Sequence, residues 1–188
     1  MFKHQSIKDL FILFFICFLP LLLSAQQKIH IPTANMIREK YSDSINRAVA
    51  KYPYINKDGV RLTIHPGLVK AIIYQESRGN PDAKSHAGAY GLTQIMPQTA
   101  RLLECDYNKL NDTELAIDCS VKFLAALLTY NKGDLIRSLS GYNGGTHSTA
   151  ARPTTTEGLL AGRIYDHPET RGYVVSVLRW FEWFKVKE

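Results

Sequence analysis

Apolar residues at helical spacing are the feature that most limits what this sequence can form. One apolar stripe, at positions i, i+1, i+4 and i+5, consists of Leu68, Val69, Ile72 and Ile73. This spacing is typical of one face of a helix. Pro66 suits the first helical position, and the segment 79–81, Gly-Asn-Pro, ends the pattern. Because no alternating strand pattern extends beyond a few residues, the sequence predicts a mainly α domain with at most a minor β element.

Other segments carry the same helical signature. Besides the helix that begins at Pro66, the sequence predicts helices over residues 35–51, 97–104, from 111 or 112 to about 132, from 134 to about 140, and 168–184. The helix that begins at 111 or 112 has two alternative caps, Asn111 and Asp112. If Asn111 is the cap, Glu114 is positioned to complete a capping box. The segment 141–145, Gly-Tyr-Asn-Gly-Gly, is expected to form a tight turn because glycine tolerates positive φ, and residues 146–162 are expected to form an exposed loop.

The first 25 residues have the composition of a signal peptide. Two lysines precede an apolar run from Leu10 to Leu23, and the small residues Ser24 and Ala25 follow it. The run is shorter than the roughly 20 residues that cross a bilayer as a helix, so an uncleaved anchor is the weaker alternative. We expect an exported protein with a signal peptide at 1–25, a helical N-terminal preface at 26–61, one functional domain at 62–184, and no membrane span after cleavage.

The net charge restricts the class of partner. The 188 residues carry a formal charge of +6, which favours polyanions such as nucleic acid, anionic lipid or an anionic cell wall. Basic residues do not alternate with aromatic residues in a strand context, and the cysteines and histidines lack the spacing of metal ligands. We therefore expect no nucleic acid, no metal and no other cofactor.

Two cysteines remain after removal of the signal peptide. Cys105 and Cys119 would reach a compartment in which thiols oxidise, so they are candidates for a disulfide. Two buried free thiols are the alternative.

Glu76 is the residue whose position is least expected for its chemistry. It lies on the apolar stripe, at i+4 from Ile72 and i+3 from Ile73, near the end of the helix. Burial and the negative end of the helix dipole both disfavour the carboxylate, so its pKa should be raised, as a general acid requires. A solvated residue at the helix end, or a partner among Arg78, Lys84 and Arg101, is the alternative.

The residues after Glu76 resemble the signature of the lytic transglycosylases. In order, they are Glu-Ser at 76–77, a serine at 85, Gly-Leu-Thr-Gln at 91–94 and Met-Pro at 96–97. That family has Glu-Ser, a serine, Gly-Leu-Met-Gln and Met-Pro. Downstream, residues 112–124 resemble its Asp-Pro-x-x-Asn-Ile-x-x-Gly-x-x-Tyr-Leu helix, 141–145 its Ala-Tyr-Asn-x-Gly turn, and 169–174 the start of its last helix. The resemblance covers about residues 62–180.

The chain departs from this pattern at several positions. These are Thr93 for Met, Thr113 for Pro, Ala116 for Asn, Ser120 for Gly and Gly141 for Ala. None of these changes affects Glu76. The change at 116 affects how that helix packs against the site, so it puts the rate and the fit of the substrate in question more than the type of reaction.

The resemblance implies a fold like that of goose-type lysozyme, with residues 62–184 as the catalytic domain, and cleavage of peptidoglycan between N-acetylmuramic acid and N-acetylglucosamine without water. Glu76 would be the one catalytic acid and base, and a 1,6-anhydro end would be the product. The same matching implies a set of substrate-binding residues: Ser77, Ser85, Gln94, Met96, Tyr142, Asn143 and Tyr173. From the residues alone, Ser77 could instead cap the helix and Gln94 satisfy backbone groups, while Met96 and the tyrosines could belong to the core.

Two other functions remain open at this stage. A hydrolase of goose-type lysozyme character would leave a reducing sugar, and a non-catalytic component would bind glycan as part of an envelope assembly. By analogy with short exported relatives, we expect a periplasmic or envelope-associated protein acting on peptidoglycan strands, with secretion, conjugation or pilus machinery as a candidate partner.

Overall fold

The computed structural model describes residues 31–144 and 168–187. The predicted signal peptide and the whole of the predicted loop at 146–162 lie outside these ranges. The elements, in chain order, are α1 (residues 31–51), β1 (Tyr54–Ile55), β2 (Arg61–Leu62), α2 (Pro66–Ser77), α3 (Pro97–Leu102), a short 3₁₀ turn (Tyr107–Lys109), α4 (Thr113–Tyr130), α5 (Leu135–Gly144) and α6 (Pro168–Val186). The prediction of a mainly α domain with a minor β element is confirmed.

Helix α2 runs through the centre of the core. Every residue from Gly67 to Tyr74 is buried, and the helix packs most extensively against α6. His65 caps its start by accepting a hydrogen bond from the Gly67 amide at 3.1 Å, and Pro66 occupies the first turn. The apolar stripe seen in the sequence is therefore the buried face of a helix enclosed on most sides.

The end of α2 is fixed against α1. Arg78 and Gly79 adopt positive φ of 55° and 79°, which stops the helix. The φ of Gly79 favours glycine, since other residues are strained there, and a Cβ atom at this position would also displace the end of the Met36 side chain of α1. Tyr41 of α1 donates a hydrogen bond to the Gly79 carbonyl at 3.1 Å. Helix α1 thus determines where the last turn of α2 lies.

Asp112, not Asn111, caps α4. Its Oδ1 accepts hydrogen bonds from the amides of Glu114 at 2.9 Å and Leu115 at 3.1 Å. The capping box that Asn111 would have formed with Glu114 is therefore wrong. The Glu114 side chain instead pairs with Arg47 of α1.

The predicted tight turn at 141–145 is wrong over its described part. Gly141, Tyr142, Asn143 and Gly144 continue α5 as helix. Glycine in a helix costs only about 1 kcal/mol relative to alanine. Tyr142 is only 8% exposed, and α5 packs against both α4 and α6, so burial outweighs the local preference for a turn.

Two local features join the periphery to the core. Strands β1 and β2 form an antiparallel hairpin in which Tyr54 faces Leu62, and the Ile55 amide donates to Thr129 Oγ1 of α4 at 3.1 Å. Cys105, just after α3, forms a disulfide with Cys119 on α4, with the two Cα atoms 6.1 Å apart. This bond connects the segment that follows the 78–96 loop to the middle of α4.

Replacing Cys105 by serine should lower the melting temperature of the chain. The disulfide spans 14 residues, and closing a loop of this size stabilises a fold by about 3 kcal/mol in the chain-entropy account. The expected loss is roughly 6–12 °C for a domain of this size, measured by thermal circular dichroism on unreduced protein. Reduced wild type should match the variant, and two titratable thiols in unreduced wild type would contradict the pairing.

Candidate active site

Glu76 occupies the last turn of α2, where its side chain is partly buried. Burial raises the pKa of Glu76 from its ordinary value of 4.5 to about 7. Interaction with the Tyr173 hydroxyl lowers this pKa, and the negative charge of Glu169 raises it further. The direction agrees with the expectation from the apolar stripe. A carboxyl of this kind holds a proton near neutral pH and can still release it.

The basic residues near Glu76 in sequence point to other groups. The Arg78 guanidinium lies over the Tyr74 ring, 4.1 Å from its centroid, and the Lys84 ammonium lies over the Tyr90 ring at 4.6 Å. Arg101 is in the last turn of α3. Over residues 31–144 and 168–187, no arginine or lysine contributes to the pKa of Glu76. Burial is therefore not offset by a cation from these ranges.

Tyr173 of α6 brings a hydroxyl to the carboxyl. Its side chain is buried, and burial together with the charge of Glu76 raises the pKa of Tyr173 well above 10. It interacts with the Glu76 carboxyl, although the hydroxyl meets the geometry of a full hydrogen bond with no partner in the part of the chain that is described. Tyr173 is thus a neutral donor beside Glu76, as its assignment to the site requires.

Tyr142 of α5 contributes a second buried hydroxyl. It donates to the Thr93 carbonyl at 3.1 Å and lies 2.8 Å from Ser120 Oγ of α4. Burial, and next the charge of Glu76, raise the pKa of Tyr142. The structure therefore brings Glu76, Tyr142 and Tyr173 together from three different helices.

Ser77 follows Glu76 but faces the adjoining loop. Its hydroxyl donates to the Leu92 carbonyl at 2.6 Å and accepts from the Gly79 amide at 3.1 Å. These contacts correspond to the capping alternative recognised from the sequence. Ser77 consequently holds the 91–94 segment against the end of α2.

The remaining residues assigned to substrate lie in or after the 78–96 loop or at the end of α5. Ser85 Oγ accepts from the Ala89 amide at 2.9 Å, and Gln94 Nε2 donates to the carbonyls of Ala83 and Gly91, each at 2.9 Å. Met96 is 39% exposed, and Asn143 is half-buried beside Tyr142. Ser85 and Gln94 maintain the shape of the loop, and substrate contact by these four residues stays a prediction.

Three residues in the site were not assigned to it from the sequence. Glu169, in the first turn of α6, acts on Glu76 through its charge. Thr93 and Ser120 bond to Tyr142. All three lie in segments that resemble the transglycosylase pattern, which was the one indication that the sequence gave of them. Thr93 and Ser120 are also positions at which the chain departs from that pattern.

The raised pKa of Glu76 also affects folding. The folded state holds this proton up to pH of about 7, whereas the unfolded chain releases it near 4.5. The folded chain binds more protons in that interval, so stability is full below about 4.5 and falls as pH rises through 7. The cost above pH 7 is roughly 3 kcal/mol, from about 1.4 kcal/mol for each pKa unit.

Two cavities in the described part of the chain lie away from Glu76. One cavity of about 400 Å³ lies along α6 and another of about 660 Å³ lies between the hairpin and α4, and Glu76 lines neither. No group of three or more His, Cys, Asp or Glu side chains within residues 31–144 and 168–187 is arranged to hold a metal ion. No helix in these ranges is both long and apolar enough to cross a membrane.

Comparisons with known proteins identify the family to which this chain is similar. Residues 53–158 match the family described as Transglycosylase SLT domain. The soluble lytic murein transglycosylase of Escherichia coli is 34% identical over 131 residues, which are 61% of this chain and 20% of that protein. The transglycosylase of Enterobacteria phage PRD1 is 35% identical over 96 residues, 50% of this chain and 34% of the phage protein.

A solved structure shares the fold. The 70-kDa soluble lytic transglycosylase in complex with bulgecin A superposes with a TM-score of 0.64 at 27% identity, covering 82% of this chain and 25% of that one. The chain therefore spans about a fifth to a third of the length of these relatives. Since the family match covers more than half of its residues, the chain belongs to the transglycosylase SLT domain family.

Proposed function

We propose that this chain is a lytic transglycosylase that cleaves the β-1,4 bond between N-acetylmuramic acid and N-acetylglucosamine in peptidoglycan and leaves 1,6-anhydro ends. The observation that carries the proposal is the Glu76 carboxyl, which is partly buried at the end of α2 with a pKa of about 7. The name of the E. coli relative, a murein transglycosylase, supports the substrate class.

One carboxyl is sufficient for this chemistry. Protonated Glu76 donates its proton to the glycosidic oxygen as the bond from that oxygen to C1 of N-acetylmuramic acid breaks. The resulting carboxylate then takes the proton of the 6-hydroxyl while that oxygen forms a bond to C1. The ring closes, the acid is regenerated, and no water is consumed. A pKa near neutrality suits both proton transfers.

The surroundings of Glu76 suit both proton transfers, the donation to the glycosidic oxygen and the later uptake from the 6-hydroxyl. Tyr173 can stabilise the carboxylate formed after the first transfer, because its hydroxyl lies near Glu76 and has no other described partner. Burial favours the neutral acid before that transfer. Met96 and Asn143 are candidates for sugar contact together with Ser85 and Gln94.

Glu169 is the residue on which a hydrolytic alternative would depend. Retaining and inverting glycosidases use a second carboxylate, as nucleophile or as base for water. Glu169 is the carboxylate in the described ranges whose charge reaches Glu76, but it is exposed in the first turn of α6. We assign it an electrostatic effect on the acid and no bond-making role.

The proposal includes export and a place in the envelope. The signal-like residues 1–25 and the net charge of +6 support action on an anionic wall. Local opening of the wall for a secretion, conjugation or pilus apparatus is the finer part of the proposal, supported by family analogy and by the similarity to a phage transglycosylase. Unchanged assembly of every such apparatus in cells lacking the chain would exclude that part.

Glu76→Gln should abolish cleavage of purified peptidoglycan, to below about 1% of the wild-type rate, because an amide keeps the shape but cannot donate and retrieve the proton. Release of soluble fragments measures the rate. Glu104→Gln, a change of the same kind at an exposed glutamate, is the matched control and should retain activity.

Glu76→Gln should also melt no lower than wild type at pH 8, since it removes a carboxyl that costs stability when ionised. Normal melting combined with lost cleavage identifies a chemical defect. Substantial residual cleavage by this variant would assign the acid to another residue.

Glu169→Gln should retain activity and move the alkaline limb of the rate profile to lower pH. The negative charge of Glu169 raises the pKa of Glu76, so its removal lowers that pKa and the protonated acid is lost earlier as pH rises. The rate is measured from pH 4 to 9, with Glu182→Gln on the far end of α6 as the control. Complete loss of activity in a folded Glu169→Gln chain would favour the hydrolytic alternative.

A further inference from the structure

A groove of about 400 Å³ runs along the side of α6 that faces away from the core. The buried residues of this helix, which include Tyr173 and Val177, lie on its other side. Positions three or four apart in sequence share one side of a helix. The residues that line the groove have this spacing: Pro168, Arg171, Gly172, Val175, Ser176 and Arg179.

The wall of the groove is bonded to the last turn of α2. Ser176 Oγ donates a hydrogen bond to Gln75 Oε1 at 2.5 Å, and Gln75 is the residue before Glu76. On α6, Gly172 of the groove is the residue before Tyr173, whose hydroxyl interacts with Glu76. The Cα atoms of adjacent residues are about 3.8 Å apart. Although Glu76 is not part of the wall, the groove therefore adjoins the site on both helices.

Two arginines make the groove positively charged. Arg171 is half-buried and Arg179 is exposed, and neither has an ion-pair or hydrogen-bond partner among the described residues. Glu182, one turn after Arg179, pairs instead with Lys185 at 3.1 Å. A guanidinium group binds a carboxylate through two parallel hydrogen bonds. The groove therefore suits a ligand that carries carboxylates.

Gly172 keeps the middle of the groove open. A Cβ atom built on this residue has no described atom within 4 Å, and its φ is not positive. Neither packing nor backbone conformation therefore requires glycine here. Glycine inside a helix is destabilising relative to alanine, so its presence has a cost that the fold does not explain. Because Gly172 is part of the wall, space for a ligand does explain it.

We propose that this groove binds the short acidic peptide that branches from N-acetylmuramic acid in peptidoglycan, with Arg171 and Arg179 each pairing with a carboxylate of that peptide. The inference rests on the proposed function for its substrate. Eight residues of helix separate the two arginines by about 12 Å, a length that three or four residues of extended peptide span. Val175 offers an apolar contact between them. A groove along one helix fits such a chain better than it fits a flat lipid surface.

The direct test measures binding without turnover, in the full chain carrying Glu76→Gln. It is sedimented with insoluble peptidoglycan, either intact or stripped of peptides by an amidase that cuts the bond between the lactyl group and the peptide. Arg171→Gln and Arg179→Gln should each weaken binding to intact material about fivefold, as expected for a solvent-accessible ion pair. Binding to stripped glycan should not change. Arg61→Gln, which removes the same charge from an exposed residue of β2, is the matched control and should change neither.

A second pair of variants tests the shape of the groove without altering its charge. Gly172→Leu fills the open space and should weaken binding to intact peptidoglycan but not to stripped glycan. Gly172→Ala adds one methyl group and should keep most of the binding, which separates filling of the groove from a change in the helix. Circular dichroism verifies that both variants are folded.

Two results would overturn the inference. One is unchanged binding to intact peptidoglycan in both arginine variants and in Gly172→Leu, and the other is an equal loss on intact and stripped material. Weaker binding of the arginine variants to phosphatidylglycerol vesicles, with unchanged binding to peptidoglycan, would assign the groove to a lipid surface instead. Because these assays need no turnover, a wild-type chain that binds as expected but releases no anhydro ends would defeat the proposed function alone.

Discussion

The burial of the Glu76 carboxyl without a cation from the described residues is the constraint on which the rest of the site depends. Burial raises the pKa of this group to about 7. The folded state is therefore less stable above neutral pH, where this carboxyl is ionised. Helix α1 fixes the end of α2 through Tyr41 and Gly79, and α6 covers its length. Among the helices that the structure describes, α2 has the largest buried fraction, and it carries Glu76 in its last turn.

The loop after α2 connects the acid to the other helices. Ser77 holds Leu92, and the next residue, Thr93, bonds to α4 through Ala116 and to α5 through Tyr142. Beyond the loop, the disulfide fastens Cys105 to α4. A polar group buried without a partner is costly, so this chain of satisfied hydrogen bonds keeps the loop in one conformation. The Tyr142 hydroxyl is therefore oriented before a substrate binds, whereas the Tyr173 hydroxyl has no hydrogen-bond partner among the described residues.

Local patterns predicted the helices and the unusual position of Glu76, because helical spacing and capping are properties of neighbouring residues. They failed where distant contacts decide. The segment 141–144 has the composition of a turn but is helical, because Tyr142 packs and bonds within the core. Its partners Ser120 and Thr93 are 22 and 49 residues away in sequence, so no local pattern could identify them. The influence of Glu169 on Glu76 was hidden for the same reason.

The central claim is that the bond is broken by internal attack of the 6-hydroxyl and not by water, with Glu76 as the one carboxyl that transfers the proton. Digestion of purified peptidoglycan in water enriched in heavy oxygen, followed by mass spectrometry of the fragments, tests this most directly. The account predicts muramic acid ends with the mass of the 1,6-anhydro sugar and no heavy oxygen. Reducing ends that carry heavy oxygen would contradict it and would identify the chain as a hydrolase.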